Sequence, residues 1–279
     1  MPLNSINTNA QSLIALQSLN STNEQLSLIQ KRVTTGYRVA DARDDGGAFA
    51  VAQSVKSDMA GVVAVNEQLG GVKGVLETTF AALSTVSDTM KQLRATLTRL
   101  ADGAISTDQR TAYKEQYTLL AKQVASFVDD AGYNGRTLLS TVTTGTPVGG
   151  DITAIRNETG GLFTIQAVDG GVLKLTTAAP TDAAAAQTSI NSGGAFDVAE
   201  AAISAALNKF GASMAFVESQ ITYNGKKADA MGSGLGALVD ADLARESSSL
   251  EALKVRQQLG VQTLGLANQG PQVLLGLFR

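Results

Sequence analysis

The chain has no cysteine, no histidine and no tryptophan, and only four prolines in 279 residues. Without cysteine there can be no disulfide, thiolate nucleophile or Cys-based metal site. Without histidine the commonest general base and the commonest metal ligand are missing. A His-Glu-x-x-His zinc protease site is impossible. No cofactor or metal set is expected. Charge is also scarce, at 17% of residues against about 25% in an ordinary globular domain. The net charge of −3 offers no basic surface for nucleic acid or an anionic membrane. The deficit sits at the ends: Glu24 is the one charged side chain in residues 1–30, and Arg279 the one in residues 257–279. No run of 18 or more apolar residues marks a membrane span. The opening MPLNSINTNAQSL has neither the basic nor the apolar region of a secretory signal. Taken alone, that predicts a cytoplasmic protein.

What is present is helical patterning, and the segment from Val239 to Arg279 organises it. Read at 100° per residue, Leu250, Leu253, Val261 and Leu264 fall on one side, with Val255, Leu259 and Leu266 nearly opposite. One stripe serves a surface helix; two stripes require two neighbours. Ordering the segment costs about 1–2 kcal/mol per residue. Each large side chain returns about 1.5–3 kcal/mol, and only when buried. The tail is therefore expected to fold on assembly, delivered to copies of the same chain.

The other end mirrors it. Residues 3–34 lack Pro and Gly; Ile6 and Leu13 are seven apart, as are Leu19, Leu26 and Val33. Seven is the coiled-coil interval. This helix is the expected partner of the tail. Gly36 ends it, and Arg38, Asp41, Arg43, Asp44 and Asp45 follow as a dense mixed-charge knot, either a solvated turn or an ion-paired junction. From Val55 to Leu100 a long 3/4 pattern predicts a rod helix, weakened at Gly61, Gly70, Gly71 and Gly74. Ser106 to Gln109 is a capping box for a second helix, which ends at Gly132 before the turn Tyr133-Asn134-Gly135. Between about 140 and 195, alternation in 162–168 and 172–176 around Asp169-Gly170-Gly171 predicts a β-hairpin. Helical spacing returns from Ile203 to Ile221, with a hinge or break expected at Gly232 to Gly236. Asp240 or Asp242 then caps the terminal helix. The expected fold is mainly α: an elongated coiled-coil bundle with paired N- and C-terminal helices and a small β-hairpin region.

These residues carry a resemblance. Ile6-Asn7-Thr8-Asn9 with Leu13, Arg32 to Val39 running into Ala42-Arg43-Asp44-Asp45, and Tyr133-Asn134-Gly135 with Leu138-Leu139 are similar to the N-terminal part of bacterial flagellin. Asp240-Ala241-Asp242, Glu246, Gln257-Gln258, Leu266 to Gln269 and Leu277-Phe278-Arg279 resemble its C-terminal signature. The resemblance implies an inner coiled-coil domain from 1–34 and 243–279. A spoke of two strands would lie at 35–54 and 236–242, and a rod-like domain at 55–235. It implies a self-polymerising subunit of the extracellular flagellar filament, exported unfolded by the flagellar type III apparatus, which reverses the cytoplasmic expectation. The implied partners are other copies of the chain, the flagellar cap and hook-associated proteins, and an export chaperone on the C-terminal helix. Neither nucleic acid nor membrane insertion is implied.

On that reading Ile6, Leu13, Leu26, Leu250, Leu259, Leu264 and Phe278 are the expected assembly contacts. Arg32, Arg38, Arg43, Asp44 and Asp45 are the expected spoke contacts. The stretch Met90 to Thr96 corresponds to the part of flagellins seen by the flagellin-sensing Toll-like receptor. Arg94 matches its central Arg, but Ala95 replaces the acidic residue, so weak receptor activation is expected. Only about 55 residues stand where larger flagellins insert outer domains, so none is expected here. The alternatives are a hook–filament junction protein, which shares the terminal signatures, an enzyme on a flagellin frame, and an unrelated intracellular coiled-coil protein.

Overall fold

The structure, a computed structural model, describes residues 9–140, 147–175 and 178–276. Ile6 and Phe278 lie outside the described residues. The chain divides into two compact units, residues 1–57 with 230–279, and residues 58–229.

In the unit 58–229 the core is a heptad seam. Helix α2 (Gly46–Leu100) places Val62, Leu69, Leu76, Leu83, Met90 and Leu97 at intervals of seven. Val65, Val72, Thr79, Val86, Leu93 and Leu100 make the interleaved set. Helix α6 (Ala195–Val239) answers with Phe196, Ile203, Phe210, Val217 and Asn224, also seven apart and all buried. Strict sevens rather than 3.6-residue turns are what a left-handed coiled coil requires. Helix α3 (Thr107–Asp129) adds Tyr117, Leu120, Ala121, Val124 and Val128 to the core. It starts at the expected capping box: Gln109 N donates to Ser106 Oγ at 3.3 Å, and Ser106 N donates to Gln109 Oε1 at 3.1 Å.

The middle of the chain departs from expectation. The strands are β1 (Ile152–Ile155) and β2 (Leu162–Ile165), antiparallel with Ile152 opposite Ile165. Their turn closes where Asn157 Oδ1 accepts from Gly161 N at 2.6 Å. The residues read as the hairpin turn form instead a helical turn, α4 (Gly170–Leu173), because Asp169 Oδ1 accepts from Gly171 N at 2.8 Å and caps it. Gly170 is required there: a Cβ would stand 2.1 Å from Leu139 O. A further short helix, α5 (Ala183–Ile190), begins at the Asp182 cap and had no apolar periodicity to announce it. The β1–β2 turn is anchored to α6. Asn224 Nδ2 donates to Arg156 O at 3.1 Å, Glu158 pairs with Lys227, and the rings of Phe163 and Phe216 stack at 4.3 Å.

In the other unit, α1 (Ala10–Thr35) ends at Gly36, whose φ of 75° is the left-handed value glycine tolerates. Two expectations are corrected here. Residues 46–54, expected in an extended strand, already belong to α2, because Asp45 Oδ1 accepts from Ala48 N at 3.0 Å and Ala52 is buried with Val39 and Val239. Helix α6 also runs unbroken through Gly232 to Gly236 and stops only at Val239. The extended part is thus short: Tyr37 bridges Asp240, Arg38 N donates to Val239 O at 2.7 Å, and Ala241 N donates to Gly36 O at 2.9 Å. Asp242, of the two candidates, caps α7 (Leu243–Gly276).

By length and mean hydropathy, 1.2 over 18 residues, α2 is the one helix among the described residues that passes for a membrane span. Only 17% of that window is buried within the chain.

Two substitutions separate core from surface on α2. Leu83→Ala removes a fully buried seam residue and is expected to lose about 2–5 kcal/mol. Gly70→Ala meets open space and is expected to gain up to about 1 kcal/mol. Thermal unfolding followed by helical circular dichroism checks both signs.

Candidate assembly surface

Helices α1 and α7 pair antiparallel. The pairing is read from four contacts along the seam: Asn9 to Ala267, Ser12 to Asn268, Asn23 to Gln257 and Arg32 to Glu246. On α1 the covered positions are Ser12, Ala15, Leu19, Thr22, Leu26, Ile29 and Val33. On α7 they are Glu246, Ser249, Leu250, Leu253, Gln257, Gly260, Leu264 and Ala267. Both sets follow 3/4 spacing, but small and polar side chains hold many of the places. Gly260 permits the close approach, since a Cβ there would lie 3.2 Å from Leu19 Cδ1. Of the expected assembly residues, Leu26, Leu250 and Leu264 therefore stand half-buried in the seam, and Leu253 is buried at 7% exposure.

Outward apolar stripes are left in solvent, one on the side of each helix turned away from the seam. Leu13 (62% exposed), Ile14, Leu16 and Leu28 make the one on α1. Val255, Leu259 (56%), Val261 and Leu266 (71%) make the one on α7. Val261 is a correction: it stands out with the exposed set, because Gly260 takes the seam position beside it. A groove of about 230 Å³ runs between Leu19, Thr22, Leu259 and Gly260. Four large apolar side chains exposed on each helix is more than single scattered exposure explains, and such surfaces mark interaction sites.

The charged knot is largely an intrachain device. Asp44 accepts from Lys31 Nζ at 2.9 Å and from the Ala40 and Asp41 amides at 3.0 and 3.2 Å. Lys31 also bonds Asp41 at 2.8 Å. Lys31 was not among the expected residues, although its position ten residues before Asp41 is one turn from the end of α1. Hydrogen bonding to Lys31 and to backbone N–H groups holds the Asp41 and Asp44 carboxyls below the usual value of 3.8, and the two carboxylates raise Lys31 above 10.5. Arg32 pairs with Glu246 at 3.2 Å, while its Nε is buried without a partner among the described residues. Arg38 Nη2 donates to Leu238 O at 2.6 Å. Asp45 is a helix cap. Arg43 contributes its backbone N–H to Asp41 at 2.8 Å. Elsewhere, Arg94 is held by Glu200 and lies 5.1 Å from the Phe196 ring centroid.

These features define a class: an α-helical chain whose terminal helices pair with each other and leave an apolar face uncovered. Residues 6–144 match the bacterial flagellin N-terminal helical region, and residues 194–278 match the bacterial flagellin C-terminal helical region. Flagellin FljK of Caulobacter vibrioides is 36% identical over the full length of both chains, and a flagellin of Brucella melitensis is 34% identical over 99% of each. The crystal structure of Bacillus cereus flagellin shares the fold with a TM-score of 0.50 and 24% identity, covering 57% of this chain and 88% of that one. The chain belongs to the bacterial flagellin family.

The shifts in the knot predict a pH dependence. A carboxyl whose folded value is depressed stabilises above its unfolded value and loses that contribution as pH falls through the folded one. Asp44→Asn is therefore expected to lower the unfolding temperature at pH 7. The gap from wild type should narrow as pH drops below 3.8 and close in stronger acid. Thermal melts at pH 7 and in stronger acid test this.

Proposed function

We propose that this chain is the self-polymerising structural subunit of a bacterial flagellar filament, working outside the cell and without catalysis. The observation that carries the reading is the outward apolar stripe that each helix of the α1/α7 pair leaves uncovered. Each of its large side chains gains about 1.5–3 kcal/mol when buried, and copies of the same pair are the complementary surface. Head-to-tail contacts whose rotation does not close into a ring extend into a helical filament. Residues 1–34 with 243–279 act as the inner domain, 35–54 with 236–242 as a spoke whose stretches 46–54 and 236–239 are helical rather than extended, and 55–235 as the rod.

Partners follow from the same surface. In transit the apolar face of α7 needs a cover, which is the role of an export chaperone. At the filament ends the exposed faces meet the cap and the hook-associated proteins. A chain without cysteine crosses an export channel unfolded with no disulfide to block it. The expectation of weak Toll-like receptor activation extends to the folded chain, since Arg94 is already engaged by Glu200 and the Phe196 ring.

Seeded polymerisation tests the reading. Purified chain added to sheared filaments should elongate them, seen by negative stain. Leu259→Asp alters a residue that is exposed in the single chain. It should leave the melt unchanged but slow elongation at least about a hundredfold, because assembly would bury an unpaired charge. Decorated seed ends without growth would assign a junction role instead.

A further inference from the structure

Helix α7 carries a proline inside its run, Pro271. Proline has no backbone N–H, so the helical bond that residue 271 would donate to the carbonyl four residues back cannot form. That carbonyl belongs to Ala267, and it does not go unused: Asn9 Nδ2 donates to it at 2.8 Å. The same side chain turns its other end to α1, where Asn9 Oδ1 accepts from Ser12 N at 3.1 Å as the helix N-cap. Both ends of one amide thus serve a helix irregularity, one at the start of α1 and one at the proline of α7. Beside it Ser12 Oγ donates to Asn268 Oδ1 at 2.8 Å.

Besides the Arg32–Glu246 pair and the Asn23–Gln257 bond, the seam has few directional contacts to fix stagger. A slide of seven residues along α1 exchanges Leu19 for Leu26 and Leu26 for Val33, so the larger apolar places stay filled. In the apolar pattern such a slide is opposed only by size at the small places, where Leu19 would replace Ser12 and Ile29 would replace Thr22. Separation of Asn9 from Ala267 carries a cost, because a part-buried carbonyl would then lack its helical donor and have only water in place of Asn9.

We propose that Asn9 and the carbonyl freed by Pro271 form the register key of the terminal helix pair. They select one antiparallel stagger of α1 on α7, and hence the one arrangement of the exposed apolar face that copies of the chain can meet. The physical logic is that of a single polar group that fixes coiled-coil register at some expense of stability.

A mutant cycle tests the key on the full chain. Asn9→Ser keeps a capping oxygen but is too short to reach Ala267. Pro271→Ala restores the N–H and lets α7 satisfy its own carbonyl. In the parent sequence Asn9→Ser should slow seeded elongation about tenfold. In the Pro271→Ala background the same change should cost about twofold or less. Equal losses in both backgrounds, or no loss in either, would overturn the proposal. The assay rests on the filament reading, and elongation by the wild type tests that reading separately.

A second measurement needs no growth. The chain has no cysteine, so an introduced pair reports stagger cleanly. Gln257 Nε2 donates to Asn23 Oδ1 at 2.7 Å, which makes Asn23→Cys with Gln257→Cys the in-register pair. Asn23→Cys with Val261→Cys lies a turn away. In assembly buffer the in-register disulfide should dominate, and Asn9→Ser should shrink its excess about tenfold. An unchanged ratio, or no in-register disulfide in the parent, would overturn the key.

Discussion

The pairing of α1 with α7 is the interaction on which the terminal part of this protein depends, and it is deliberately incomplete. Each helix has apolar residues on two sides, and one chain can cover only one of them. Leu253 is buried and Leu250 and Leu264 are half covered, while Leu259 and Leu266 stay in water. A conventional globule would hide its most apolar helix faces at the centre. Here they are placed where only another molecule can finish the burial, although α1 and α7 are already helical and paired in the single chain.

The core of residues 58–229 obeys the opposite rule. Val62, Leu69, Leu76, Leu83, Met90 and Leu97 repeat without interruption and are almost wholly buried. That seam is closed within a single chain, although Val63, Leu119 and Leu162 of the same unit stay exposed.

The heptads were legible in the sequence because side-chain period is a local property. So were the Ser106 capping box and the glycine stop at Gly36, where one residue type answers one backbone requirement. The hairpin was misplaced because Asp169-Gly170-Gly171 has two local solutions, a turn or a capped helix start. The choice between them was made by distant Leu139, whose carbonyl fills the space beside Gly170. The glycines at 232–236 read as a hinge, yet helix continuity won: each glycine costs only about 1 kcal/mol, and Leu235, Leu238 and Val239 pack against the Val39 cluster. In the charged knot, the acidic partners were visible but the lysine was not. Lys31 is sequence-ordinary, and only the turn after Gly36 brings Asp41 and Asp44 back to it.

The composition of the α1/α7 seam poses a problem that polar contacts solve. Serine, threonine, glycine and alanine let two backbones approach and leave the leucines free to face outward. The same choice removes the bulky complementarity that normally fixes how far one helix slides on another. An assembling protein cannot leave that undefined, because a shifted stagger would rearrange the outward leucines. Directional bonds supply what shape does not: Arg32 to Glu246 near one end of the pair, Asn23 to Gln257 along it, and Asn9 to the Ala267 carbonyl near the other. The Arg32–Glu246 pair is part-buried and so adds to the definition of stagger at its end, whereas the exposed Asn23 and Gln257 amides can find water. A part-buried main-chain carbonyl with its helical donor chemically deleted has few substitutes, so the proline end of α7 specifies stagger at the other end of the pair.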